Sequence, residues 1–401
     1  MCVDRLCCHD PRGLLSERQL AMQRRFLVTG TGLAWVLSSA MVWAASGQAL
    51  AQNPPPKKSP SPTPTLLRVM THSSFDLPKP LLVQFEKDAG VKLQLIKGGD
   101  AGEMLNKLIL SRAAPVADVV FGIDNTLLPR ALASGILDTY PGAAAQSKAL
   151  AGMAEGPSLP KDPSAPTADS GVVGGVVPVT RGFVSLNIDK AWFQKKGLAL
   201  PQNLQALALP AYRDLLVVPN PATSSPGQAF LLATVAGLGE AAAWDWWAQM
   251  RANGVKVVKG WSEAYYTEFS HNGGTRPLVV SYATSPAAEV FYSKDKLGAS
   301  PTANLFLPGG VFRQVEGAAL LKGATPAARS AGVKFIEFLR SVPVQQALPT
   351  SMWMYPVQPG VPLDGVLRHA QAPTNFERLP LQTLSTQAAR WQQRWTQVVL
   401  K

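Results

Sequence analysis

Leu67-Arg68-Val69-Met70-Thr71, Val91-Lys92-Leu93-Gln94-Leu95 and Ala117-Asp118-Val119-Val120-Phe121 are three short apolar runs within one stretch of the chain. Each has the length of a strand and the β-branched or alternating character that suits a sheet. Between the first two, Leu81, Leu82 and Phe85 mark one face of a helix that stops at Gly90, a natural C-terminal cap. Between the second and third, Asp100-Ala101-Gly102-Glu103 opens a helix whose apolar side carries Met104, Leu105, Leu108 and Ile109. Beyond the third, Asp124-Asn125 leads into another helix that ends at Gly135. Parallel strands need a crossover, usually a helix, so this alternation predicts a parallel sheet with helices on both faces. The fold class is α/β.

A second unit of the same kind follows a Gly-, Pro- and Ser-rich interval over residues 156–175. Residues 176–179 and 183–187 read as extended, 214–218 as a strand running into Pro219-Asn220-Pro221, and 277–282 as a buried strand. Helices are predicted over 228–235 and 241–250, the latter carrying Trp244, Trp246 and Trp247. Residues 318–321 look like a strand returning to the first sheet, and amphipathic helices over 327–339 and 387–399 follow. No GxGxxG fingerprint or P-loop accompanies these sheets. The expected architecture is a two-lobed clamshell, with residues 66–180 and 308–401 in lobe 1 and 181–307 in lobe 2. A ligand belongs in its cleft, at the carboxyl ends of the strands.

Composition narrows the function. Hydrophobic residues make up 46% and charged residues 16% of 401, ample for a sizeable core and unlike a disordered chain. The net charge of +12 comes from scattered Lys and Arg, without the clustering of a nucleic-acid footprint. Arg24-Arg25, an apolar run over 26–43 and Ala49-Leu50-Ala51 have the three parts of a secretory signal peptide, expected over 22–51. Met22 stands just before that charged start, so residues 1–21 read as an over-extended beginning. All three cysteines, Cys2, Cys7 and Cys8, fall in it, which leaves the exported form free of disulfides. Removing the five Arg and three acids of residues 1–51 takes the net charge from +12 to +10. The Pro-rich residues 52–65 read as an extended tether.

Four constellations fall where the cleft would be. Asp100 and Glu103 have the spacing of a capping box, compatible with a place at the sheet's edge. Ser224, Ser225 and Pro226 read as a helix start, and Ser281-Tyr282-Ala283-Thr284-Ser285-Pro286 repeats that pattern after another strand. Two such starts would aim two sets of free N–H groups at one cleft, a setting that suits an anion. Lys259-Gly260-Trp261-Ser262-Glu263-Ala264-Tyr265-Tyr266 and Pro349-Thr350-Ser351-Met352-Trp353-Met354-Tyr355-Pro356 add aromatic faces fit to stack on a planar or cationic molecule. On spacing alone, Trp261 and Tyr265 read first as one buried face of a helix. No Ser, Cys or His forms a recognisable catalytic arrangement, and no metal-ligand spacing appears. A binding protein is the reading, not an enzyme.

Residues 117–125, 223–227, 259–265, 281–286 and 349–357 together resemble the periplasmic thiamine-binding proteins of bacterial ABC transporters, over nearly the whole exported chain. The resemblance implies a type II periplasmic-binding fold, two lobes joined by crossover strands, each lobe a mainly parallel sheet flanked by helices, with thiamine or its phosphates between the lobes. It implies ligand contacts at Asp100, Ala101, Ser224, Ser225, Trp261, Tyr282, Ala283, Thr284, Ser285, Pro286 and Trp353, and no cofactor. It also implies a monomer in the periplasm that hands its ligand to an inner-membrane permease and ATPase, with no nucleic-acid partner. The chain departs from the family pattern in several places. His72 stands for a Tyr and joins the expected contacts, Ala101 stands for a Gly and Ala288 for a second cleft Tyr, and a Trp past Phe75 and a Cys pair near Lys92 are missing. The competing reading on the same fold is a ferric-ion binder using the adjacent Tyr265-Tyr266 pair, with His72 as a nitrogen ligand. A thiamine-degrading transferase ranks last, since its cysteine nucleophile is missing after residue 8.

Overall fold

The computed structural model describes residues 64–146, 174–295 and 297–401. The expected over-extended start, signal peptide and most of the tether lie outside the described residues, as does most of the 156–175 interval. Thr65, expected at the tether's end, is the first residue of a strand.

The first half builds as its apolar runs predict: β1 (Thr65–Thr71), α1 (Lys79–Ala89), β2 (Val91–Lys97), α2 (Ala101–Leu110), β3 (Val119–Asp124) and α3 (Leu128–Ser134). β1 pairs parallel with both β2 and β3. Successive side chains on a strand point to opposite faces. Val119 and Phe121 of β3 therefore enter one core with Leu67 and Val69, while Val120 and Ile123 enter another with Met70, Met104 and Leu105. A strand buried on both faces is written as a continuous apolar run, which is what made this stretch readable.

The second half contains β4 (Val177–Asp189), α4 (Lys190–Lys196), α5 (Leu204–Leu207), β5 (Leu216–Pro219), α6 (Ser225–Leu238) and α7 (Glu240–Ala252). Then come β6 (Lys256–Val258), α8 (Trp261–Glu263, continued as a π-helical turn over Ala264–Glu268), β7 (Leu278–Tyr282), α9 (Ser285–Tyr292) and β8 (Thr302–Leu305). β9 (Phe312–Leu320), α10 (Pro326–Leu339), α11 (Val342–Ser351), β10 (Tyr355–Pro356) and α12 (Leu381–Trp395) complete the order. β5 is parallel to β6 and β7. Leu216, Val218, Leu278 and Val280 face the larger second core, and Val217, Val279 and Val258 face a smaller one under Tyr265 and Phe269.

As crossover strands between two lobes require, the strands form one hydrogen-bonded path, β2-β1-β3-β9-β4-β7-β5-β6, with β8 and β10 added on β4. Two expectations are corrected. The pieces expected over 176–179 and 183–187 are one strand of 13 residues. Val177 and Val179 of β4 lie in the first core, and Val184, Leu186 and Ile188 lie in the second. β9 makes the return trip, from Phe312 in the second core to Ala318 and Leu320 in the first. These antiparallel strands carry the chain between lobes.

The second correction concerns the expected extent of lobe 1 to residue 401. Leu384, Ala388, Trp391 and Trp395 share one face of α12 and pack into the second core with Trp246 and Trp247. The ring of Trp395 stands edge-on to Trp247, centroids 5.6 Å apart, and Arg390 makes two 2.7 Å bonds to Glu240 of α7. Aromatic surface on α7 draws the helix there. Among the described residues, no helix is long and apolar enough to cross a membrane.

Candidate functional site

Asp100, Asp124, Pro219, Gly260 and Tyr282 follow or end β2, β3, β5, β6 and β7, so the carboxyl ends of the parallel strands meet at one place. Asp100 has extended backbone and caps α2. Its Oδ1 accepts the Ala101 N–H at 2.6 Å, and its Oδ2 accepts the Trp261 N–H at 2.9 Å. One carboxylate thus joins the start of α2 in the first lobe to the start of α8 in the second. A Cβ on Gly260 would lie 2.9 Å from Asp100 Oδ2, so a larger residue there would push that carboxylate aside. The Glu103 N–H donates to the Thr223 carbonyl at 3.0 Å, and Lys259 Nζ lies 3.0 Å from Glu103 Oε2. The lobes touch along this edge.

Trp261 is half-buried. Its ring stacks on Tyr265 at 5.2 Å and 20°, meets Tyr282 edge-on at 6.3 Å, and its Nε1 donates to Ser281 Oγ at 2.8 Å. Ser281 Oγ is in turn 2.8 Å from Ser285 Oγ. Tyr265 is 3% exposed and donates its hydroxyl to Glu289 Oε1 at 2.7 Å. The packing reading therefore holds for Tyr265, while Trp261 lies between that core and the cleft.

The inner end of the site is acidic. The Tyr282 phenol is pushed well above its ordinary range, first by burial and then by the charges of Glu316, Asp100 and Asp124. Asp124 is fully buried and accepts from the Thr126 N–H at 2.8 Å, the Thr126 hydroxyl at 2.7 Å and the Leu127 N–H at 2.9 Å. The Gln314 amide donates to it as well and also contacts Ser225 Oγ. Burial raises the Asp124 carboxyl against the pull of the Ser225, Thr126, Gln314 and Leu127 donors. Glu316, opposite Asp124 in the β3–β9 register, accepts from Thr180 Oγ1 at 3.0 Å and lies 3.0 Å from His72 Nε2. Ser224 Oγ and Gln314 Oε1 are buried without a partner, which leaves hydrogen-bonding capacity open at this end.

Of the expected contacts, Asp100, Trp261, Tyr282, Ser225 and Ser285 are brought together, with Ser224 buried beside them. Ala101, Ala283 and Pro286 are buried. The Ala101 methyl packs with Met70, Met104 and Leu105, and the Ala283 N–H is spent on the Phe183 carbonyl at 2.9 Å. Thr284 Oγ1 donates to the Trp353 carbonyl, and Trp353 sits edge-on to Phe291 and Tyr292 of α9, at 5.3 and 5.6 Å. Trp353 adopts φ +57°, a left-handed conformation that costs a non-glycine residue about 1–3 kcal/mol and is found preferentially at functional sites. His72 is engaged by Glu316. Sequence reasoning missed Asp124, Gln314 and Glu316 as site residues. Asp124 could have been found by the rule that pointed to Asp100, a carboxylate at a strand's carboxyl end.

Two α/β lobes joined by two antiparallel strands, with aromatic faces and carboxylates where the lobes meet, define a solute-binding protein of the type II periplasmic-binding fold. Residues 114–383 match the model of the bacterial extracellular solute-binding protein family, and the chain belongs to that family. It is 30% identical over 341 residues to the thiamine-binding periplasmic protein of Salmonella typhimurium, covering 83% of this chain and 93% of that one. The solved structure of a periplasmic thiamin binding protein superposes with a TM-score of 0.70 at 28% identity, covering 84% of this chain and 98% of that one. The ferric binding protein from Campylobacter jejuni shares the fold, with a TM-score of 0.63 at 17% identity over 83% of this chain and 99% of that one.

Proposed function

We propose that this protein captures thiamine or a closely related planar cation in the periplasm and delivers it to an inner-membrane permease and ATPase. The observation that carries the reading is the pairing of the Trp261 and Tyr282 rings with Asp100 and Glu316. An aromatic face attracts a cation through its quadrupole, and nearby carboxylates add to that attraction. A positively charged thiazolium ring meets both needs, and the aminopyrimidine can donate to an acidic acceptor. The relatives described as thiamine-binding support the same ligand. As a carrier the protein acts by closing its lobes over the ligand and presenting the closed surface to the permease.

The ferric alternative draws less support. Tyr265 is buried, its hydroxyl is committed to Glu289, and burial with that neighbour pushes its phenol well above the ordinary range. A tyrosinate ligand needs the opposite. The test is a titration of the purified exported form, following Trp fluorescence, with thiamine and then ferric citrate. Quenching by thiamine without a visible tyrosinate–iron band is expected. A coloured iron complex with no thiamine response would replace the proposal by its alternative.

A further inference from the structure

Arg181 stands midway in the passage of β4 between the lobes, after Val179 of the first core and before Val184 of the second. Successive side chains on a strand alternate between its faces. Thr180 reaches Glu316 in the cleft, and a Cβ on Gly182 would lie 3.5 Å from the Tyr282 ring, so Arg181 between them points away from the cleft. There β10 pairs with β4, with Tyr355 opposite Arg181. The guanidinium lies over the Tyr355 ring at 5.9 Å, and its Nε donates to the Pro356 carbonyl at 3.3 Å. These contacts hold the plane of the guanidinium and leave its two terminal nitrogens uncommitted. Among the described residues, no carboxylate pairs with Arg181. Asp364, the acid of the adjoining loop, is spent on the Val366 N–H at 2.8 Å, capping the helical turn that follows.

Beside this cation the chain forms a cup. Pro356, Val357, Pro359, Val361 and Leu363 line it with Arg181, enclosing about 320 Å³, at the lower end of the range of small-molecule sites. Gly360, at φ +74°, turns the loop back on itself. The base of the loop is fixed, since the N–H groups of Val357 and Gln358 donate to Gln345 Oε1 at 3.1 and 3.3 Å. Gln345 Nε2 in turn donates to the Val179 carbonyl of β4 at 3.0 Å. Cup and guanidinium are thus anchored to one strand and formed in advance of any ligand. An apolar wall with a free guanidinium edge suits a molecule that has an apolar body and a carboxylate, which an Arg fork receives through two parallel N–H···O bonds.

We infer that this cup is a second binding site, apart from the cleft, for a small monocarboxylate with an aliphatic body. Arg181 takes the carboxylate, and Val361 and Leu363 cover the body. The inference is independent of what the cleft binds.

Hexanoate is the probe, titrated into the whole exported chain and followed by ligand-observed NMR. Hexanol, which lacks the charge, and acetate, which lacks the body, are the controls. Hexanoate is expected to bind at least about tenfold more tightly than either, as the loss of a charge-assisted bond or of the apolar contact implies. Arg181→Gln and Leu363→Glu should each weaken hexanoate by a similar factor. Both side chains are exposed, and a cooperative thermal transition shows that each variant is folded. No binding of hexanoate, equal binding of hexanol or acetate, or full hexanoate affinity in either folded variant overturns the inference. The comparison of the three probes on the unaltered protein stands even where a variant fails to fold.

Discussion

Asp100 serves two helices with one carboxylate, so its removal should register in stability even without ligand. Loss of a helix cap costs about 0.5–2 kcal/mol. Asp100→Ala should lower the urea midpoint accordingly, and Asp100→Asn, which keeps an acceptor oxygen, should lower it less. The aromatic contribution separates from this. Trp261→Ala and Tyr282→Ala are each expected to weaken thiamine binding by about 0.5–2 kcal/mol, the range of a lost cation–π contact. Tyr265→Phe should leave that affinity largely unchanged while costing roughly 1 kcal/mol of stability for the lost bond to Glu289. If calorimetry found both ring variants binding as tightly as the parent, the pocket would have to be elsewhere. Asp100, Trp261 and Tyr282 were legible because they stand just after, or at the end of, clear strand signals. Gln314 and Glu316 were not, since a polar residue in a strand that crosses between two lobes looks like one on a solvent-facing edge.

At the scale of elements, the parallel strands could be read because burial on both faces leaves an unbroken apolar run. β4 was read as two pieces because Arg181 and Gly182 interrupt its run where the strand passes between the cores. The sequence of α12 shows that one face is buried, but amphipathicity names no partner, and its seat on α7 had to come from the fold. That seat is testable. Trp395 is 0% exposed, and Trp395→Ala should cost about 3–5 kcal/mol, read from chemical unfolding. The Arg390 pair on the same helix holds the Glu240 carboxyl at about 2, against an ordinary 4.5. Because the folded value lies below the unfolded one, the contribution is complete above about pH 4.5 and fades as pH falls toward 2. The melting-temperature gap between the parent and Arg390→Ala should shrink across that window. The pair is exposed, so the gap should be small at any pH.

For the whole molecule, the single hydrogen-bonded path through β9 and β4 has a consequence for how the chain can be assembled. β3 ends at Asp124, and its antiparallel neighbour in the same lobe supplies Glu316, some 190 residues later. The first lobe's sheet therefore has an open, largely apolar edge until nearly the last quarter of the polypeptide has been made, while β7 finds β4 and β5 much sooner. Non-local pairings of this kind must overcome loop-closure entropy before contacts reward them, and they fold slowly. A chain cut before Phe312 is expected to lack a cooperative first lobe, seen as rapid proteolysis between residues 64 and 146 with the lobe-2 strands better protected. Closing that edge with the final quarter of the sequence makes folding of the first lobe a late event, and a polypeptide that stays unfolded until synthesis is nearly complete is one that can still be threaded through a membrane.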